Sequence, residues 1–120
     1  MANASDYPIT AIPNPFIGIE IGVTRIAPDN YHPWVVNYED PQFHEPLWPE
    51  ERANIYDMID SFTINQAYAN FLDEETGSIE TGKCADMIVV DKNILELAPE
   101  DIGTAVVEKT LVMGKVVYEG

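Results

Sequence analysis

The chain has few cysteine and histidine residues, the side chains that most often form transition-metal sites. Its 120 residues include one cysteine and two histidines. A single cysteine excludes an internal disulfide and any metal site built from several cysteines. Cys84 lies inside a predicted strand, so we expect it to be a small buried hydrophobe, with a reactive thiol as the alternative. His32 and His44 lie in a proline-rich stretch, where we interpret both as loop surface, with zinc binding as the alternative.

Basic residues are scarce as well. Six Lys and Arg stand against 21 Asp and Glu, which gives a formal net charge of −15. Such a surface repels phosphate groups, so nucleic acid and anionic membranes are poor candidates as partners. No run approaches the ~18 consecutive apolar residues of a membrane span. The first residues lack the basic and apolar regions of a signal peptide, and we expect a cytoplasmic protein.

The last third of the chain has the pattern of a small sheet. Gly77 and Gly82 bracket a tight turn, where glycine adopts a positive φ at little cost. The apolar, β-branched run over 85–90 then predicts a buried strand. Residues 99–102 predict one helical turn, and residues 106–118 predict a hairpin that turns at Met113-Gly114.

The preceding part predicts helices, with one ambiguous segment. Within residues 16–26 the apolar side chains alternate as in a half-buried strand, whereas Asn14-Pro15 is a favourable helix start. The residues alone slightly favour the strand. A second helix is expected to open at Pro49 and to continue to Phe62, and a third to follow a break at 63–65 and reach about Leu72. The expected buried face of this third helix comprises Ala67, Tyr68, Phe71 and Leu72.

Residues 27–49 form a long proline-rich loop that contains Trp34 and Trp48. Loops of this length without secondary structure are usually functional or disordered, and aromatic side chains argue against full disorder. The two tryptophans could line a substrate entrance or could simply hold the loop to the domain, and the sequence favours neither.

Residues 77–91 follow the pattern G-S-I-x-x-G-K-x-A-D-x-x-V-x-D. This pattern resembles a signature near the C-terminus of metal-dependent amidohydrolases, where it forms a structural strand beside a catalytic barrel. The segments 5–8 (Ser-Asp-Tyr-Pro) and 14–25 narrow the resemblance to amidohydrolase family 3, which includes N-substituted formamide deformylase and exoenzyme-regulatory-type proteins. The resemblance extends over most of the chain and favours a helix over 16–26. Residues 26–48 depart from the family pattern in length and aromatic content.

The resemblance implies a catalytic and metal-binding role for Asp6. In the family this aspartate ends the eighth barrel strand, binds or faces the active-site metal, and passes a proton to the leaving amine. A divalent metal, with zinc as the first expectation, would lower the pKa of bound water toward ~7. The other family ligands, including a His-x-His pair, have no counterpart here, and zinc needs three protein ligands even in an open site. We therefore expect no stoichiometric metal on this chain and no turnover by it alone.

The implied fold class is α+β, as the C-terminal part of an amidohydrolase. A complete (β/α)₈ barrel needs roughly 200 residues or more, so 120 residues hold its end alone. Residues 1–76 would supply the last barrel strand, the long loop and the terminal barrel helices. Residues 77–120 would supply the C-terminal part of a composite β-sandwich. Its strands would then have unpaired edges, which favour a homodimer or another form of edge pairing.

The function implied by the resemblance is hydrolysis of a non-peptide carbon–nitrogen bond in a small amide-type substrate by the parent protein. A non-catalytic binding or assembly module built on the sandwich strands is the alternative. A third interpretation, an acidic cation-binding protein, is weaker because no acidic cluster has the spacing of an EF-hand. These clusters are Glu39-Asp40, Glu50-Glu51 and Asp73-Glu74-Glu75.

Overall fold

The computed structural model describes residues 1–4, 6, 13–27 and 39–120, and it shows a small α+β fold. The helices are α1 (Pro15–Thr24), α2 (Ile55–Phe62) and α3 (Ile64–Ala69). The strands are β1 (Met87–Val90), β2 (Val107–Val112) and β3 (Lys115–Glu119). Short 3₁₀ helices lie at Pro41–His44, Pro49–Glu51 and Pro99–Thr104. No helix in the described part of the chain has the length and apolar character needed to cross a bilayer.

Helix α1 forms in the segment whose sequence was ambiguous. The side-chain oxygen of Asn14 accepts a hydrogen bond from the N–H of Phe16 at 2.9 Å, and Pro15 takes the first helical position. The N–H groups at the start of a helix have no partner within the helix. Asn14 accepts one of them, and Pro15 has no N–H group to pair. The helix ends at Arg25, which has a left-handed φ of 62°. The helix expected from the resemblance over 16–26 is therefore confirmed.

Helix α2 begins later than the sequence predicted. Pro49–Glu51 forms a single 3₁₀ turn, and the backbone is extended again at Arg52. The cap of α2 is Asn54, whose side-chain oxygen accepts the N–H of Asp57 at 2.9 Å. The prediction of a helix opening at Pro49 is wrong, because the stronger capping residue lies five positions further on.

Helix α3 follows the predicted break but is shorter than predicted. It ends at Ala69, and Phe71 has a left-handed φ of 59°. Ala67 is buried as expected, whereas Tyr68 and Phe71 are 70% and 94% exposed. The predicted buried face is wrong beyond Ala67, because a six-residue helix turns few side chains toward the core.

The sheet is antiparallel with the order β1-β2-β3. The predicted hairpin is confirmed: β2 and β3 are joined at Met113 and Gly114, which have φ values of 49° and 75°. Two consecutive positive φ angles are typical of a type I′ turn, whose twist matches that of the flanking strands.

Strand β1 is less buried than its apolar sequence predicted. Ile88 and Val89 are 48% and 43% exposed. Cys84 precedes the strand and is exposed. The expectations of a buried strand and of a buried Cys84 are wrong, because β1 starts at Met87 and a three-stranded sheet leaves much of its surface to solvent.

The core lies where α1 meets α2 and the Pro99–Thr104 helix. Its buried side chains are Phe16, Ile19, Met58, Ile102 and Ala105. Residues on both sides of position 76 thus share one core. The division of the chain into 1–76 and 77–120 stays a prediction.

Candidate functional site

Asp6 lies at a left-handed backbone position close to the start of the chain. Its φ is 53°, and the residue is exposed. Aspartate tolerates this conformation better than most side chains other than glycine and asparagine. Ser5 and residues 7–12, which include the rest of the Ser-Asp-Tyr-Pro segment, fall outside the described residues.

Asn3, three positions before Asp6, is hydrogen-bonded to two helices. The Asn3 N–H donates to the Ser61 carbonyl oxygen at 3.1 Å, and the Asn3 side-chain amide donates to the Ser61 hydroxyl oxygen at 2.6 Å. The Gln66 side-chain amide donates to the Asn3 carbonyl oxygen. We call these three residues the Asn3 anchor. No local pattern indicates it, because Ser61 and Gln66 are 58 and 63 positions from Asn3.

The described residues do not by themselves fit a divalent metal. Nowhere among residues 1–4, 6, 13–27 and 39–120 do three or more His, Cys, Asp or Glu side chains come together as ligands. Asp6 contributes one carboxylate, and zinc needs at least three protein ligands. His44 lies in the Pro41–His44 helix, and His32 lies outside the described residues.

An open cleft of about 850 Å³ lies beside the Asn3 anchor. Its walls include Asn3, Gly18, Gly22, Arg25 and Trp48. Trp48 is 62% exposed and has a φ of 49°. Trp48 therefore lies exposed on the wall of this cleft, and its role at a substrate entrance stays a prediction. Trp34 lies outside the described residues.

A buried carboxylate that the sequence did not reveal lies on α1. Glu20 is 6% exposed, and its Oε2 accepts the N–H of Gly103 at 2.7 Å. Burial raises the pKa of Glu20, and the nearby carboxylates of Asp101 and Glu100 add to this increase, while the hydrogen bond from Gly103 opposes it. Glu20 therefore links α1 to the Pro99–Thr104 helix.

The polar side chains of the turn in the 77–91 segment bind one another. The Lys83 ammonium donates to the Ser78 hydroxyl oxygen at 2.6 Å and lies 3.3 Å from Glu80 Oε1. The pKa of Glu80 is lowered first by its hydrogen bond from Ser78 and then by Lys83. These contacts occupy the polar groups locally, which favours a structural role for the turn.

The two aspartates of the segment fix the ends of β1 against β2. Asp86 Oδ1 accepts the Met113 N–H at 2.7 Å, and Asp91 Oδ1 accepts the Val106 N–H at 2.8 Å. The Asp91 N–H donates in return to the Val106 carbonyl oxygen at 3.0 Å. The carboxylates thus satisfy backbone donors at both ends of β2.

A sequence model described as the amidohydrolase family matches residues 1–118. The chain is similar to Protein LONG AFTER FAR-RED 3 of Arabidopsis thaliana, with 33% identity over 118 residues, which cover 98% of this chain and 18% of that protein. It is 31% identical over 86 residues to N-substituted formamide deformylase of Arthrobacter pascens, covering 72% of this chain and 16% of that protein.

Among solved structures, an amidohydrolase from Thermotoga maritima MSB8 is similar with a TM-score of 0.49 and 31% identity. The similarity covers 59% of this chain and 17% of that one. The chain spans less than a fifth of the length of each of these three proteins.

Proposed function

The chain belongs to the amidohydrolase family, and we propose that it is the C-terminal region of a longer metal-dependent hydrolase that cleaves non-peptide carbon–nitrogen bonds. The match over residues 1–118 is the observation that carries this proposal, because it includes both Asp6 and the 77–91 segment. The similarity to a formamide deformylase supports a small amide-type substrate.

The proposed architecture keeps the division between residues 76 and 77 that the family resemblance implied. Residues 1–76 would form the end of a (β/α)₈ barrel, and residues 77–120 would contribute strands to a β-sandwich beside it. Catalytic residues of such barrels lie at the carboxyl ends of strands. Residues 1–4 form no strand in the described structure, so the position of Asp6 at the end of a barrel strand rests on the family resemblance.

In this proposal Asp6 transfers a proton. A divalent metal held by residues of the longer protein would supply an activated water and polarise the carbonyl group. Asp6 would accept a proton from the attacking water and deliver it to the leaving nitrogen. Amide hydrolysis needs this second step, because an amine anion is a poor leaving group.

The test compares the full-length gene product with the 120-residue chain, using an N-substituted formamide as the probe. We expect hydrolysis by the full-length protein and none by the 120-residue chain. Asp6→Asn in the full-length protein should lower kcat by about 10²–10⁴-fold. Asp73→Asn, an amide replacement in an acidic surface cluster, should leave kcat unchanged.

Two results would contradict the proposal. Turnover by the purified 120-residue chain would contradict the expectation that this chain is inactive without the rest of the protein. Full activity of the Asp6→Asn protein would show that Asp6 does not transfer the proton.

One observation favours the second candidate, a non-catalytic binding or assembly module. β3 is an outer strand of the described sheet and all its residues are exposed, so its free edge can pair with another strand. A full-length gene product that binds a partner through β3 but hydrolyses no amide would favour this candidate.

A further inference from the structure

Helix α3 ends in a turn that requires a left-handed residue at position 71. The N–H of Phe71 donates to the Tyr68 carbonyl oxygen at 3.0 Å, and the N–H of Leu72 donates to the Ala67 carbonyl oxygen at 2.9 Å. These two bonds form a Schellman motif, whose left-handed position is usually occupied by glycine and sometimes by asparagine. Here the position is occupied by Phe71, with a φ of 59°.

The ring of Phe71 is exposed to solvent despite this strained backbone. A left-handed conformation costs free energy in any residue with a Cβ, and for a bulky side chain it is a clear outlier. Phe71 is 94% exposed, so burial of its ring does not offset that cost within the described residues. Glycine would satisfy the same turn without the cost. The turn therefore explains the conformation of residue 71 but not its phenyl ring.

An apolar groove begins at the residue that follows Phe71. Leu72 lines a groove of about 500 Å³ between α3 and β1, together with Ile79 and Ile88. These three side chains are 44%, 88% and 48% exposed. We call Phe71, Leu72, Ile79 and Ile88 the Phe71 face. Exposed apolar side chains that lie together mark interaction sites, whereas single ones need no explanation.

Two observations indicate what covers the Phe71 face. The chain spans less than a fifth of the length of its relatives, so most of a parent protein of that length lies outside these 120 residues. A second copy of the chain is disfavoured, because the net charge of −15 and the exposed carboxylates of Glu74 and Glu75 beside Leu72 would repel it. Burial of a phenylalanine ring stabilises a protein by at least as much as the left-handed conformation costs.

We propose that Phe71 is an interface residue, whose ring is buried against the part of the longer protein that precedes residue 1. This inference rests on the proposed function, which makes the chain the C-terminal region of that protein. It explains why a residue other than glycine occupies the left-handed position. The ring stabilises the complete protein, although the same residue lowers the stability of the 120-residue chain.

The main variant is Phe71→Gly, which removes the ring and the backbone strain together. Met113→Gly is the matched control, because Met113 is also an apolar residue with a left-handed φ, of 49°, and is 74% exposed. Met113 belongs to the hairpin turn and does not line the groove. Both variants therefore relieve the same kind of strain, and only Phe71→Gly removes a side chain of the Phe71 face.

The first measurement is the Tm of each variant in the 120-residue chain and in the full-length gene product. In the 120-residue chain both variants should raise Tm by about 4–8 °C, because each removes the cost of a left-handed side chain. In the full-length protein Phe71→Gly should instead lower Tm by about 2–4 °C, because a buried ring is lost. Met113→Gly should not lower it. The opposite sign of the Phe71→Gly effect in the two proteins is the result expected for an interface residue.

The second measurement uses the wild-type proteins alone. Hydroxyl-radical footprinting by mass spectrometry reports how accessible the Phe71 ring is to solvent. Oxidation of Phe71 should be several-fold slower in the full-length protein than in the 120-residue chain. Protection that grows with the concentration of the 120-residue chain would mean that a second copy covers the Phe71 face, and it would overturn the proposal.

The outcomes separate this inference from the proposed function. If Phe71 is oxidised equally in both proteins and Phe71→Gly stabilises both, the interface is wrong, whereas amide hydrolysis that is lost in Asp6→Asn would still support the proposed function. If Phe71 is protected and Phe71→Gly destabilises the full-length protein alone, the interface is right even when that protein hydrolyses no amide.

Discussion

Glu20 carries a carboxylate into the junction between α1 and the Pro99–Thr104 helix. A buried charge is costly unless a partner compensates it, and here the partner is the neutral N–H of Gly103 at 2.7 Å. Gly103 is also the residue that makes room, because a Cβ there would lie 2.8 Å from Glu20 Oε2. The polar contact therefore depends on a glycine 83 positions away in the sequence.

The raised pKa of Glu20 predicts a defined pH dependence of stability. Because the folded-state pKa lies above the ordinary value of 4.5, the contribution of Glu20 is fully present below pH 4.5 and is lost as pH rises through the folded-state pKa. Glu20→Gln cannot ionise and keeps an oxygen that accepts from Gly103. We expect it to raise the free energy of unfolding at pH 7 and to weaken its pH dependence above pH 4.5.

Urea unfolding at several pH values measures this effect. Glu74→Gln is the control, because it removes the same formal charge at an exposed position. A wild-type pH dependence in Glu20→Gln would show that Glu20 is not its source. An equal gain in the free energy of unfolding in Glu74→Gln would show that relief of the overall negative charge is the cause.

At the level of elements, the contact between α1 and α2 depends on glycines at one face of α1. A Cβ at Gly18 would lie 2.7 Å from Phe62 Cζ, and a Cβ at Gly22 would lie 2.4 Å from the Met58 sulfur. Glycine lowers helix stability by about 1 kcal/mol relative to alanine. In α1 this cost is offset because α2 can pack its large side chains directly against the backbone.

Gly18→Ala should therefore destabilise the fold despite the better helix propensity of alanine. Overpacking typically costs about 1–3 kcal/mol, so we expect the free energy of unfolding to fall by roughly 1–2 kcal/mol. In a Phe62→Leu background, where the side chain is shorter, the same change should be neutral or stabilising. Urea unfolding of the four proteins tests the coupling, and an equal cost in both backgrounds would exclude the contact with Phe62 as the cause.

For the whole molecule, open strand edges favour self-association, whereas the large negative charge opposes it. All residues of β3 are exposed, which invites pairing with a second strand. The net charge of −15 makes two copies of the chain repel each other. The balance depends on salt, because the Debye length falls from ~10 Å at 0.1 M to ~3 Å at 1 M ionic strength.

We therefore expect the 120-residue chain to associate through β3 more strongly at about 1 M than at about 0.1 M NaCl. Light scattering over a concentration series at both salts measures the average mass. Val117→Lys, which places a charge in the edge strand, should weaken the association. Ile79→Lys should not, because Ile79 is 88% exposed outside the sheet. A monomer at every concentration and both salts would contradict the prediction.

Features that depend on neighbouring residues were predicted from the sequence. Met113-Gly114 turns a hairpin and residues 63–65 break a helical pattern, because caps and turns act over a few positions. The helix over 16–26 was predicted through the family resemblance alone, since its alternating residues favoured a strand. Burial was predicted less well: Cys84 and Ile88 are exposed, since burial depends on what packs over a residue.

By itself the sequence determined the order and type of most elements and the family to which the chain belongs, because both are carried by local patterns and short motifs. Tertiary structure alone decided how Asn3 is anchored to Ser61 and how Glu20 meets Gly103. These pairs are 58 and 83 positions apart. No local propensity can specify such a contact, because it exists only after the helices have packed into one core.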